Sequence, residues 1–250
     1  MDLPLALPLI LIGAVAASFI QGLSGFGFGL VAMSIWAWGV EPQLAIVLSV
    51  FGGLTGQITA AIALRRRMGW RVLGPFLIGG LAGIPIGIAI LPLIDPYLFR
   101  IMLGTFLVLW CPFMLLANRL PPLCMDGHPL ERLADGLIGL GGGILGGLGG
   151  LTGALPSLWC TLRQMGKERQ RAIVQNFNLA TLAGTMVAYS VSGTVKLHML
   201  PTFGVLLPAI LLPALLGSHL YVRMSEMAFR TLVLLLLTLA GITLLMSTLA

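Results

Sequence analysis

Ser24 and Thr152 each stand immediately before a glycine, inside glycine-rich runs that interrupt apolar stretches: Gln21-Gly-Leu-Ser-Gly-Phe-Gly-Phe-Gly29 and Gly146-Gly-Leu-Gly-Gly-Leu-Thr-Gly-Ala-Leu-Pro156. A hydroxyl on irregular, glycine-rich backbone supplies hydrogen-bond donors, and such a set suits holding an anion. Where each run restarts a helix, the first free amides carry roughly half a positive elementary charge, so two facing ends offset about one negative charge. Gly25, Gly27, Gly150 and Gly153 let a ligand approach the backbone closely. The expected substrate contacts are Gln21, Ser24, Gly25, Phe26 and Gly27 at the first break and Thr152, Gly153 and Ala154 at the second, with Phe26 and Phe28 as walls. Close helix packing is the competing account of these glycines. It explains Gly52 with Gly56, and Gly79 and Gly83 with Gly87, at four-residue spacing. It does not require a hydroxyl beside glycine in both runs.

Gln175, Asn178, Thr185 and Tyr189 fall on one helical stripe after the second break. The stripe either lines a permeation path, with Gln175 and Asn178 as further donors, or glues helices together at about 1 kcal/mol per contact. Under the register shift described below, its first-half counterparts are Val47, Val50, Gln57 and Ala61, so the polar lining is mostly one-sided. Every acidic residue falls at a predicted loop or span end, with Asp135 the nearest to the interior. That pattern favours an anion site built from neutral donors over a carboxylate-based cation site. His219 suits either proton coupling or a structural role near the interface. Cys111, Cys124 and Cys160 have no metal-ligand spacing and read as packing residues, so neither a disulfide framework nor a cofactor is expected.

These residues must be positioned by a membrane protein. Hydrophobic residues make up 58% of the 250-residue chain and charged ones 9%, with a mean hydropathy of +1.04. Apolar spans long enough to cross a hydrocarbon core are expected at 43–64, 72–92, 98–118, 172–192, 200–221 and 230–249. Residues 4–39 and 134–162 differ, each offering two limbs around a glycine break. Both are expected to be helical hairpins that dip into the membrane and return. Loops 65–71, 119–133, 163–171 and 221–230 then share one face and hold every Lys and Arg except Arg100 and Lys196. The positive-inside rule makes that face cytoplasmic and leaves both termini on the other side. The net charge of +6 thus reports topology, and no nucleic-acid partner is implied.

A shift of 128 positions places Ser24-Gly25 on Thr152-Gly153 and Pro85 on Pro213, and a two-residue insertion later Phe99-Arg100 falls on Phe229-Arg230. Each half carries one hairpin and three crossings, an odd number, so the halves are expected to be inverted repeats meeting near the midplane. The fold class expected is therefore an all-α polytopic membrane protein in a single domain. Repeat one is 1–118, a linker follows at 119–133 and repeat two is 134–250. Oligomeric state is silent, and a homodimer is compatible with the apolar surface.

The chain resembles the TauE/SafE family of sulfite and organosulfonate permeases. The resemblance is carried by Gln21-Gly-Leu-Ser-Gly-Phe-Gly27, Glu41-Pro-Gln-Leu-Ala45, the basic Arg65-Arg-Arg-Met-Gly-Trp-Arg71 loop and Gly149-Gly-Leu-Thr-Gly153. Ala154-Leu-Pro-Ser157 departs from the family pattern, which tends to a further glycine and a proline pair there. The resemblance implies a permease for a small sulfur-containing or related anion in the bacterial inner membrane. The two inverted halves are expected to work by alternating access around the hairpin tips, and an enzyme is not expected. Two other classes fit less of the sequence. Gly22-Leu-Ser24-Gly25 imitates the Gly-x-Ser-Gly signature of rhomboid intramembrane proteases, but the sole candidate base is His219 and the motif recurs with Thr152. A membrane scaffold without cargo leaves the duplicated breaks unexplained.

Overall fold

In the computed structural model, residues 3–63, 70–117, 119–123, 130–220 and 226–249 are described; the side chains of 3–5, 63, 70–71, 219–220 and 226–230 lie outside that description. The basic residues Arg65, Arg66, Arg67 and Arg223, Cys124 and linker positions 124–129 fall outside it, as do the side chains of Arg71, His219 and Arg230. Ten α-helices make up the described chain, which contains no strand among the described residues. They are α1 (Leu3–Ser24), α2 (Phe28–Trp36), α3 (Pro42–Ala63), α4 (Trp70–Ile90), α5 (Pro96–Ala117), α6 (Glu131–Gly149), α7 (Ala154–Leu162), α8 (Lys167–Val191), α9 (Leu200–Leu220) and α10 (Glu226–Leu249).

Helix boundaries follow local chemistry. Asp95 starts α5 by accepting the Leu98 amide on its carboxylate at 2.7 Å, with Pro96 in the first turn where its missing N–H costs nothing. Gly25, Gly27 and Gly150 sit at φ of 81°, 95° and 72°, the left-handed region that glycine enters without strain, and they end α1, precede α2 and end α6.

At both breaks the chain folds back on itself. Trp36, at the end of α2, donates its indole N–H to the Ile10 carbonyl of α1 at 3.2 Å and lies over Gly13, where a methyl group would collide with the ring. Trp159 of α7 reaches Asp135 of α6 at 2.7 Å, and Arg163, just past α7, bridges Asp135 at 3.1 Å and Glu131 at 2.7 Å. With nine residues each, α2 and α7 are about 13 Å long, too short to cross a bilayer.

The expected packing role of Gly79, Gly83 and Gly87 has a partner in the structure. These α4 glycines lie against the carbonyls of Gly136, Leu140 and Ile144, while Gly139 and Gly143 of α6 lie against Phe76 and Gly80 of α4. The two backbones approach so closely that a side chain has no room. Gly83→Ala is therefore expected to destabilise the protein by about 1–3 kcal/mol through overpacking. Gly204→Ala, where nothing lies within 4 Å, should be neutral or slightly stabilising. Thermal unfolding of the two variants in detergent separates these outcomes, and equal midpoints would discard the close-packing account.

Among the described residues, six helices are long and apolar enough to span a membrane: Ala6–Ser24, Pro42–Ile62, Val72–Leu93, Pro96–Ala117, Leu197–Ser218 and Thr231–Leu249. Five coincide with expected crossings. The sixth is α1, expected as a hairpin limb, whereas the expected span 172–192 is missing because α8 is too polar. At 25 residues α8 is nonetheless about 37 Å long. Its Arg171, Asn178, Thr181, Thr185 and Tyr189 are all buried against other helices. Two residues assigned to a basic surface loop, Arg163 and Arg171, are buried at 8% and 7% exposure, a correction to the loop reading. Arg163 is drawn in by two carboxylates and Arg171 by the Gly22 carbonyl, 3.2 Å from Nη2.

Candidate functional site

The two breaks touch. Phe26 packs against Gly153, and a methyl group added at Gly29 would stand 2.7 Å from the Gly150 carbonyl oxygen. Between them lies a cavity of about 10 Å³, enough for about one water molecule. Its walls are Phe26 to Leu30 at the first break, Gly150 to Ala154 at the second, and Gln21, Gly53, Gln57, Asn178 and Leu182 from α1, α3 and α8. Among the described residues, no charged side chain lines it.

The donors can be counted group by group. At the start of α2 the amides from Phe28 to Leu30 have no partner within the helix, and the Val31 amide is the first to find one, on Gly27 at 3.1 Å. All three residues line the cavity. The start of α7 offers less, because the Ala154 amide bonds to the Leu151 carbonyl at 3.3 Å and Pro156 has no N–H. The positive end is therefore supplied mainly by α2. Gln21 gives one Nε2 hydrogen to Gly53 at 2.8 Å and Gln57 gives one to Gly25 at 2.9 Å, which leaves each carboxamide a second donor.

Thr152 donates its hydroxyl to the Asn178 Oδ1 at 2.8 Å. With the oxygen so engaged, Asn178 has its NH₂ to offer to the cavity. Thr152→Val keeps the shape and leaves a buried Oδ1 without its donor, a cost of about 1–3 kcal/mol. Binding of a cavity ligand is expected to weaken in Thr152→Val and to recover in Thr152→Ser, measured as half-saturation in a flux assay; equal values for all three proteins would remove Thr152 from the site.

Of the ten residues singled out from the sequence, Gln21, Phe26, Gly27, Thr152, Gly153, Ala154 and Asn178 line the cavity. Ser24, Gly25 and Gln175 lie beside it. The Ser24 hydroxyl is turned onto its own chain, 2.8 Å from the Ile20 carbonyl and 2.5 Å from that of Phe26, so it builds the turn. Gly25 contributes its carbonyl to Gln57, and Gln175 packs on Gly25. The polar stripe of α8 divides in two: Asn178 faces the cavity, while Tyr189 ties α8 to α6 through a 2.6 Å bond to the Gly147 carbonyl. Sequence reasoning passed over Gln57 as a site residue and Ser49 altogether; Ser49 donates to the Gly149 carbonyl at 2.8 Å and so braces the second break. A glutamine in the middle of an otherwise apolar span was the available signal for Gln57.

Two folded-back helix pairs around a donor-lined cavity, among helices long and apolar enough to span a bilayer, define a multi-pass membrane protein. The chain belongs to the sulfite exporter TauE/SafE family, whose profile matches residues 9–244, and this family match places it in the transporter class. Comparison with curated proteins and with solved structures gave no match.

Proposed function

We propose that the protein is a permease for a small anion, sulfite, an organosulfonate or a related carboxylate, and that it holds the anion between the two breaks. The observation that carries this reading is the contact of both breaks around a cavity lined by the start of α2, Gln21, Gln57 and Asn178, with no charged side chain among the described residues that line it. An oxyanion is stabilised there by fixed dipoles and neutral donors, and no positive side chain has to be desolvated at its wall. Family membership favours sulfite as the first anion to try.

In this reading the two folded-back pairs, α1 with α2 and α6 with α7, are re-entrant hairpins of inverted repeats, and transport proceeds by alternating access around their tips. Sulfite has four heavy atoms, so a cavity that holds about one water represents a closed arrangement that must widen to admit it. The loop face carrying most Lys and Arg is cytoplasmic and both termini lie outside. The test is a flux screen in proteoliposomes with sulfite, a sulfonate and a small carboxylate, with and without a pH gradient. Saturable flux of one of them, weakened in Asn178→Leu, is expected. Absence of flux for all three in either direction would refute the reading.

A further inference from the structure

We propose that Arg171 and Gln175 form a second anion-holding station beside the first break, through which a small oxyanion passes between the surface and the cavity. The inference rests on the transport reading above and adds a route to it. On α8, Lys167, Arg171, Gln175 and Asn178 follow one another at spacings of four, four and three, which keeps them on one face. Lys167 is exposed, Arg171 is buried one turn further in, and Asn178 is already at the cavity wall. The stripe covers about 16 Å of helix.

Arg171 and Gln175 both pack directly on Gly25. A methyl group there would stand 3.0 Å from Gln175 Nε2 and 3.4 Å from Arg171 Cγ. Gly25 adjoins Phe26, which lines the cavity. Gln175 Nε2 is buried and makes no hydrogen bond, a donor whose desolvation is uncompensated until an acceptor arrives. Arg171 donates through Nη2 to the Gly22 carbonyl, at 3.2 Å in the last turn of α1. An oxyanion brings a full negative charge, and so a Coulomb attraction to the guanidinium that the neutral Gly22 carbonyl lacks, and it outcompetes that carbonyl. The planar fork of arginine also fits two oxyanion oxygens at once. Releasing Gly22 removes one tie between the tip of α1 and α8, which couples arrival of the anion to loosening of the break.

The test compares wild type, Arg171→Gln, Arg171→Lys, Gln175→Glu and Asn178→Leu as purified full-length protein in phosphatidylcholine vesicles, which supply no net anionic headgroup. Initial sulfite flux is measured against concentration from each side. Arg171→Gln and Gln175→Glu are expected to raise half-saturation roughly tenfold or more from the α8 side and little from the other. Arg171→Lys should recover much of the loss through its retained charge. Wild-type half-saturation in Gln175→Glu, which keeps the shape and adds a negative charge, would overturn the station whether or not the arginine variants fold. So would a loss in Arg171→Gln that is equal from both sides. If Asn178→Leu weakens flux while Arg171→Gln and Gln175→Glu do not, the station fails and the cavity stands; if none of the proteins moves sulfite, the transport reading itself fails.

Discussion

Asn178→Leu is expected to raise the half-saturating sulfite concentration by roughly 10- to 100-fold, because a hydrogen bond to a charged group contributes about 1.5–3 kcal/mol. Two effects act together. The variant removes the side-chain NH₂ that faces the cavity, and it leaves the Thr152 hydroxyl without the oxygen it now meets at 2.8 Å. Leucine keeps the branching and the number of side-chain heavy atoms, so the fold should survive. Asn178→Asp should be more damaging still, since it replaces a donor with a negative charge in a cavity whose described walls carry no positive side chain. Concentration-dependent sulfite flux in proteoliposomes reads both variants. Wild-type half-saturation in Asn178→Leu would place the binding site elsewhere.

The second large effect concerns stability. Arg163 is 2% exposed at its side chain and holds Asp135 at 3.1 Å and Glu131 at 2.7 Å, the two carboxylates being 5% and 25% exposed. Removing one partner of such a cluster leaves buried charge uncompensated, and Arg163→Ala is expected to cost about 3–5 kcal/mol. Because these contacts join the start of α6 to the end of α7, the second folded-back pair should open first. Arg163→Lys should recover little, since an ammonium has no planar fork with which to reach both carboxylates. Asp135→Asn should be milder, as the amide oxygen still accepts the Trp159 indole N–H that now bonds Oδ1 at 2.7 Å. Thermal unfolding in detergent ranks the three. An Arg163→Ala midpoint equal to wild type would show that the cluster contributes no net stability.

Much of the site was legible because its signals are local. Helix breaks at residues 25–27 and 150–153 follow from glycines that tolerate positive φ, and the four-residue glycine spacing of α4 announced a close neighbour without naming α6. What a side chain does after the turn is formed was less legible. Ser24 and Thr152 occupy matching places in the two runs, yet one hydroxyl closes its own turn and the other orients Asn178, 26 positions away. Gln57 reaches Gly25 across 32 positions, and nothing in its immediate neighbourhood signals that contact. Arg163 and Arg171 follow α7 in a stretch that reads as a basic loop, because a charge count carries no information about which carboxylate or carbonyl lies opposite.

The amino-acid sequence by itself determined that this is an all-helical, membrane-embedded chain with two interruptions and neutral donors at each, since hydropathy, glycine geometry and residue type are properties of short segments. Tertiary structure alone decided that the interruptions meet, that α2 rather than α7 presents most of the free amides, and that two arginines turn inward. Those outcomes depend on which backbone groups each neighbouring helix has already satisfied, and a buried polar group settles wherever a partner remains.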